Sequence, residues 1–341
     1  MQGFSGDENY GERIVVTPVS AKGIPTMKPL ELKLDVENIA GDPTRIGLPL
    51  NGREPQTIKV FLEAKEVIAE VSGGIQFNYW TFNSQVPGPF LRAREGDIIE
   101  LTLKNHESSH MPHSIDLHAV NGPGGGSLVS QVNPGEEKTF SFKALNPGLY
   151  VYHCATPNVA THMTKGMYGL ILVEPAEGLS EVDKEFYIMQ GELYTSGNQF
   201  SKGLQKFSFE KMTDENPSFV VFNGKVNSLD GQMKAKVGDK IRLFVGNGGV
   251  SLSSNFHVIG EIFDKVYVEG GSLINENVQT TLIPAGGSTI VEFTVEEPGS
   301  YLLVDHALNR VNKGAIGVLV VEGEHNDEIY SPKPGENKNT H

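Results

Sequence analysis

Apolar and polar residues alternate in short bursts along most of the chain. Ile58, Val60 and Leu62 fall on one side of an extended segment, and Ile98-Leu101-Leu103, Phe140-Phe142 and Leu170–Val173 repeat the habit. A side-chain period near two belongs to strands, because successive residues of an extended chain point to opposite faces. Gly, Pro and Asn punctuate the bursts at the spacing of an all-β sandwich or barrel. One helix is expected, at Leu179–Phe186.

The pattern also repeats at long range. Gly96-Asp97-Ile98 through Asn105 resembles Gly238-Asp239-Lys240 through Asn247. Pro147-Gly148-Leu149-Tyr150 resembles Pro298-Gly299-Ser300-Tyr301, and Lys165-Gly166-Met167-Tyr168-Gly169 resembles Lys313-Gly314-Ala315-Ile316-Gly317. The pairs keep one order and similar offsets, which predicts two copies of one β-domain. The expected domains are 1–176 and 177–324, with a flexible acidic arm over 325–341.

Composition narrows the class. The 341 residues suffice for two full cores, and 21% charged residues is ordinary for a globular protein. A net charge of −14 argues against nucleic acid or an anionic membrane surface as partner. No apolar run approaches the roughly 18 residues of a membrane span. The first ten residues lack the layout of a secretory signal, and this leaves the compartment open.

The chemistry gathers around Cys154, the single cysteine. It cannot close an internal disulfide, so it is a buried apolar group, a nucleophile or a metal ligand. His162 and Met167 follow it, giving C-x7-H-x4-M. With His113, these are the thiolate, two imidazoles and weak axial thioether of a type 1 copper site. Met163 competes for the axial position, but Met167 stands in the frame common to both repeats. Strand alternation then separates a second set: His153 points away from Cys154, His118 away from His113, and Asp116 shares the face of His118. Two histidines are too few for a metal, and His257 and His306 are the candidates for a third. An open three-imidazole site would be catalytic.

Met111-Pro112-His113-Ser114-Ile115-Asp116-Leu117-His118, Tyr152-His153-Cys154-Ala155, Phe256-His257-Val258-Ile259-Gly260 and Val304-Asp305-His306 resemble the copper-containing nitrite reductases, from about residue 55 to about 322. The x7 spacing is similar to the class on the outer membrane of some Gram-negative bacteria. Ser114 departs from the common Asn without touching a ligand. The resemblance implies two tandem Greek-key cupredoxin domains, two copper ions per chain and reduction of nitrite to nitric oxide. It implies a homotrimer whose type 2 copper is held by His118 and His153 of one subunit and His306 of the next. Asp116 and His257 would be the catalytic acids, Ile259 the pocket wall, and Thr280 would orient His257. A small cupredoxin or cytochrome c would donate electrons, in the periplasm or on the outer-membrane surface. A multicopper oxidase is disfavoured, because the chain has no His-x-His pair for a trinuclear cluster. A pure electron carrier would leave Asp116, His118, His257 and His306 without a shared purpose, and an adhesive copper protein would not need the axial Met.

Overall fold

The structure is a computed structural model and describes residues 33–331. The first 32 positions of the expected first domain and positions 332–341 of the expected tail lie outside the described residues. The first half is built from β1 (Thr57–Ser72), β2 (Ile75–Phe82), β3 (Leu91–Arg94), β4 (Ile98–Asn105), β5 (Asp116–Leu117), β6 (Glu137–Lys143), β7 (Gly148–His153) and β8 (Tyr168–Glu174). The second half begins with β9 (Lys184–Leu193), β10 (Gly203–Gln205), β11 (Phe219–Phe222), β12 (Met233–Lys236), β13 (Lys240–Asn247) and β14 (Ser254–Ile259). It continues with β15 (Phe263–Tyr267), β16 (Ile274–Val278), β17 (Thr280–Ile283), β18 (Ser288–Thr294), β19 (Gly299–Asp305) and β20 (Ile316–Glu322). Helices are short: α1 (Ser127–Ser130), α2 (Val159–Thr164) and α3 (Phe209–Thr213).

The strands form two sandwiches of the cupredoxin type. In the first, sheet β10-β2-β1-β4-β6 and sheet β3-β8-β7-β5 enclose Leu62, Leu101, Leu103, Leu117, Cys154, Met167 and Ile171. In the second, β11-β9-β13-β18-β15-β16 and β12-β20-β19-β14-β17 enclose Ile188, Leu243, Phe256, Phe263, Phe293 and Leu303. The repeat is visible in the pairing itself. Strand β1 runs parallel to β4, which is antiparallel to β6, as β9 runs parallel to β13, which is antiparallel to β18. The β5–β7–β8–β3 order matches β14–β19–β20–β12 in the same senses.

A third core joins the halves, with Val67, Phe77, Leu149 and Leu170 from the first and Tyr187, Phe244 and Ile290 from the second. It explains why the helix expected at Leu179–Phe186 is not formed. Strand β9 starts at Lys184 and is buried on both faces, Phe186 and Ile188 in the second-domain core, Tyr187 and Met189 in the joining one. A strand buried on both faces loses its period-two signature and reads as a continuous apolar run.

Charged groups are sealed beside this core. Arg92 on β3 bonds to Glu174 on β8 and, at 2.8 Å, to Glu185 on β9. Arg242 on β13 reaches Glu185 at 2.7 Å and Glu292 on β18 at 2.7 Å. Both guanidinium groups are almost fully buried, so the cluster fixes one docking of the two sandwiches. At the start of the arm expected to be flexible, His325 Nδ1 lies 2.6 Å from Glu297 Oε2, and Asn326 N donates to Glu297 Oε1 at 3.1 Å. Among the described residues no helix is long and apolar enough to cross a membrane.

Candidate metal centres

Strand β7 ends at His153 and the chain continues directly into Cys154, whose N–H donates to the Met167 carbonyl at 3.1 Å. Across from it, His113 is fixed by a two-way backbone bridge to Val132, and α2, capped by the Asn158 side chain, presents His162. Cys154 Sγ lies 3.2 Å from His162 Nδ1 and 3.9 Å from His113 Nδ1, and the two imidazole nitrogens are 3.2 Å apart. All three residues are buried. Met167 is fully buried in the same core as Cys154, whereas Met163 is not a member of that core.

A thiol and two imidazole nitrogens thus converge in a buried pocket. Burial first, then the neighbouring charges, pushes His113 down to about 3 and His162 down to about 4, with Lys165 lowering both. Burial pushes the Cys154 thiol up, against hydrogen bonds from Ser114 and Thr156. His113 Nε2 is buried without a hydrogen-bond partner. Two imidazole nitrogens and a thiol form a soft donor set, and copper fits it. Trp80 packs its ring edgewise on both imidazoles, 4.6 Å from His162 and 5.6 Å from His113 between centroids.

On the opposite face of β7, His153 Nε2 lies 3.2 Å from His118 Nε2 and 3.9 Å from Asp116 Oδ2. Residues Asp116 and His153 are cross-strand partners, which sets the carboxylate beside the imidazoles. The other ring nitrogen of His153 lies 3.0 Å from the Cys154 carbonyl. A carbonyl only accepts, so Nδ1 carries the proton and Nε2 keeps its lone pair toward His118. Burial lowers the pKa of His118, helped by His153 and opposed by Asp116 and a backbone bond to Gly286. This half of the set also fits copper, with two nitrogen donors and a carboxylate.

His257 on β14 and His306, the residue just past the end of β19, are brought together elsewhere, with ring centroids 5.5 Å apart. Neither belongs to the two metal-ligand clusters found among the described residues. Ile259 follows on the face of His257 and is 45% exposed. The ring of His257 is oriented by Gln279, whose carbonyl lies 2.6 Å from Nδ1, rather than by Thr280, its cross-strand partner. Sequence reasoning missed Gln279 because a backbone carbonyl leaves no mark in residue identity. It also missed Trp80, Lys165 and Gly125. The run Gly124-Gly125-Gly126 was the available signal for the last: Gly125 has φ +55°, and a Cβ there would stand 1.8 Å from Asp116 Oδ1.

Two family models described as multicopper oxidase match residues 63–178 and 184–324, which defines the class: two-domain copper proteins of cupredoxin fold. A copper nitrite reductase structure from Nitrosomonas europaea superposes with a TM-score of 0.70 at 31% identity, covering 80% of this chain and 96% of that one. A multicopper oxidase crystal structure gives 0.67 at 27% identity, with 83% and 95% covered. The copper-containing nitrite reductase of Neisseria gonorrhoeae is 56% identical over 82% of this chain and 72% of its own length. That of Alcaligenes faecalis is 33% identical over 79% and 77%. The chain belongs to the copper-containing nitrite reductases.

Proposed function

We infer that this chain reduces nitrite to nitric oxide and water, taking up one electron and two protons per turnover. The observation that carries the reading is that consecutive residues, His153 and Cys154, belong to two different donor clusters. Copper held by His113, Cys154, His162 and Met167 would supply reversible one-electron exchange, and copper held by His118, His153 and a third histidine would supply a cationic seat for the anion. The rest is done by the chain. The 153–154 peptide is the shortest covalent link between the sets, and the His153 Nδ1–H bond to the Cys154 carbonyl doubles it.

Asp116, beside His153 Nε2, donates a proton to the leaving oxygen of nitrite. His257, its Nδ1–H committed to Gln279, delivers the second proton from Nε2 when the ring is in its doubly protonated form. Ile259 supplies an apolar wall that restricts how the anion lies. His306 meets the His118–His153 pair of a neighbouring copy in a homotrimer, and the exposure of His118, Ile259 and His306 within one chain supports that arrangement. A small cupredoxin or cytochrome c delivers the electron, in the periplasm or on the outer-membrane surface. Copper-loaded protein given a reduced dye and nitrite should release nitric oxide, and nitrite should perturb one of two cupric signals in electron paramagnetic resonance. Two copper ions per chain with no nitric oxide would sink the reading in favour of another redox role.

A further inference from the structure

Lys165 closes α2, three residues after His162, and its side chain is spent on aromatic rings. Its Nζ sits 4.0 Å from the Trp80 ring centroid and 5.9 Å from that of Phe207. The two residues are also joined through the backbone, Trp80 N donating to Lys165 O at 2.9 Å. Trp80 is 6% exposed, and its ring also packs on the imidazole pair of the Cys154 site. No ion pair within 4.0 Å is formed by Lys165 among the described residues. The carboxylate that faces it is Glu66, already engaged by His110 N at 2.7 Å, His110 Nδ1 at 3.1 Å and Met111 N at 3.1 Å.

The arrangement costs free energy. An ammonium over an indole recovers only part of the hydration lost on burial, and a carboxylate partner would recover more. Such a charge is retained where its field has work to do. Only the Trp80 ring stands between it and the site: Nζ lies 4.0 Å from that ring, whose centroid is 4.6 Å from that of His162 and 5.6 Å from that of His113. A positive charge in low-dielectric surroundings disfavours the more highly charged, oxidised state of any metal held beside it.

We propose that Lys165, seated on Trp80, is a positioning residue that holds the reduction potential of the Cys154 copper centre high and thereby sets the driving force for electron passage toward His153. The inference rests on the copper reading above. The test is spectroelectrochemical titration of copper-loaded wild type, Lys165→Met, Lys165→Arg and Glu66→Gln, with absorption spectra and thermal unfolding of each. The midpoint potential should fall in Lys165→Met, return toward wild type in Lys165→Arg and rise in Glu66→Gln, while the thiolate–copper band persists in all four. The opposite signs separate charge from packing, since a purely structural role would move both variants one way. Equal potentials in wild type and Lys165→Met, or equal falls in the Met and Arg variants, would overturn the role of Lys165 and leave the copper reading standing. Should Lys165→Met fail to fold, an unchanged or lowered potential in Glu66→Gln would overturn it. A wild type without a thiolate–copper band would overturn both.

Discussion

Replacing Gly125 by alanine tests the role of Asp116 without touching it. The new Cβ would lie 1.8 Å from Asp116 Oδ1 and 2.8 Å from Cγ, against an ordinary contact of 3.4 Å or more, so the carboxylate must retreat by about 1.6 Å. Misplacing a reacting group by about 1 Å costs on the order of 100-fold in rate. Alanine at φ +55° adds a backbone cost of about 1–2 kcal/mol, which lowers stability but not the chemical step. Gly124→Ala is the control: φ is +70°, and its Cβ would meet Leu128 and Ser127, not Asp116. Both variants should lose similar thermal stability and keep both coppers, measured by metal analysis and electron paramagnetic resonance. Gly125→Ala alone should lose turnover at saturating nitrite, by one to two orders of magnitude, measured as nitric oxide release. Equal losses in the two variants, or full activity in Gly125→Ala, would refute the assignment of Asp116 as proton donor.

Arg92→Met leaves Glu174 and Glu185 buried without that cation, and chemical denaturation should report a loss of about 3–5 kcal/mol; a change under about 1 kcal/mol would mean the cluster does not hold the halves together. The metal-free protein should weaken on acidification: His113 and His162 are depressed in the fold to about 3 and about 4, so below their usual 6.5 the unfolded chain binds protons that the folded chain refuses. Their contribution is complete above pH 6.5 and drains away toward pH 3, and a His162→Gln variant should flatten that slope in thermal melts. His306→Ala should halve the copper content while leaving the thiolate–copper absorption in place; loss of both coppers would tie His306 to the wrong set.

Much of this was legible in the chain because strand alternation converts residue parity into sidedness. The odd separation of His113 and His118, and the adjacency of His153 and Cys154, divide four ligands between two faces, and the structure has them so divided. Strand β9 was illegible for the opposite reason, since burial on both faces erases the alternation. The orientation of His257 escaped because any residue at 279 offers the same carbonyl. Trp80 and Lys165 escaped because they are 85 positions apart in sequence and meet only when β2 packs under the loop after α2.

The internal duplication explains why, among the described residues, one domain has a metal-ligand cluster and the other has none. Matching Gly148-Leu149-Tyr150 to Gly299-Ser300-Tyr301 sets Asp305 in the place of Cys154, and matching Lys165 to Lys313 sets Arg310 in the place of His162. These two form an ion pair at 2.6 Å. The Ser114 N–H that approaches Cys154 Sγ at 3.5 Å has its counterpart in Asn255 N, which donates to Asp305 Oδ1 at 3.2 Å. Burial works against the Asp305 carboxylate, yet Arg310, the Ala307 N–H, Gln190 and Asn255 together hold its pKa below the usual value. A salt bridge therefore fills the position that the thiol and imidazole hold in the first domain. Both solutions meet the same constraint, a convergence of polar groups inside a sandwich that must be neutralised locally. By the same register the cross-strand partner of His153, Asp116, corresponds to His257, the cross-strand partner of Val304. Asp116 and His257 thus occupy equivalent edges of the two domains.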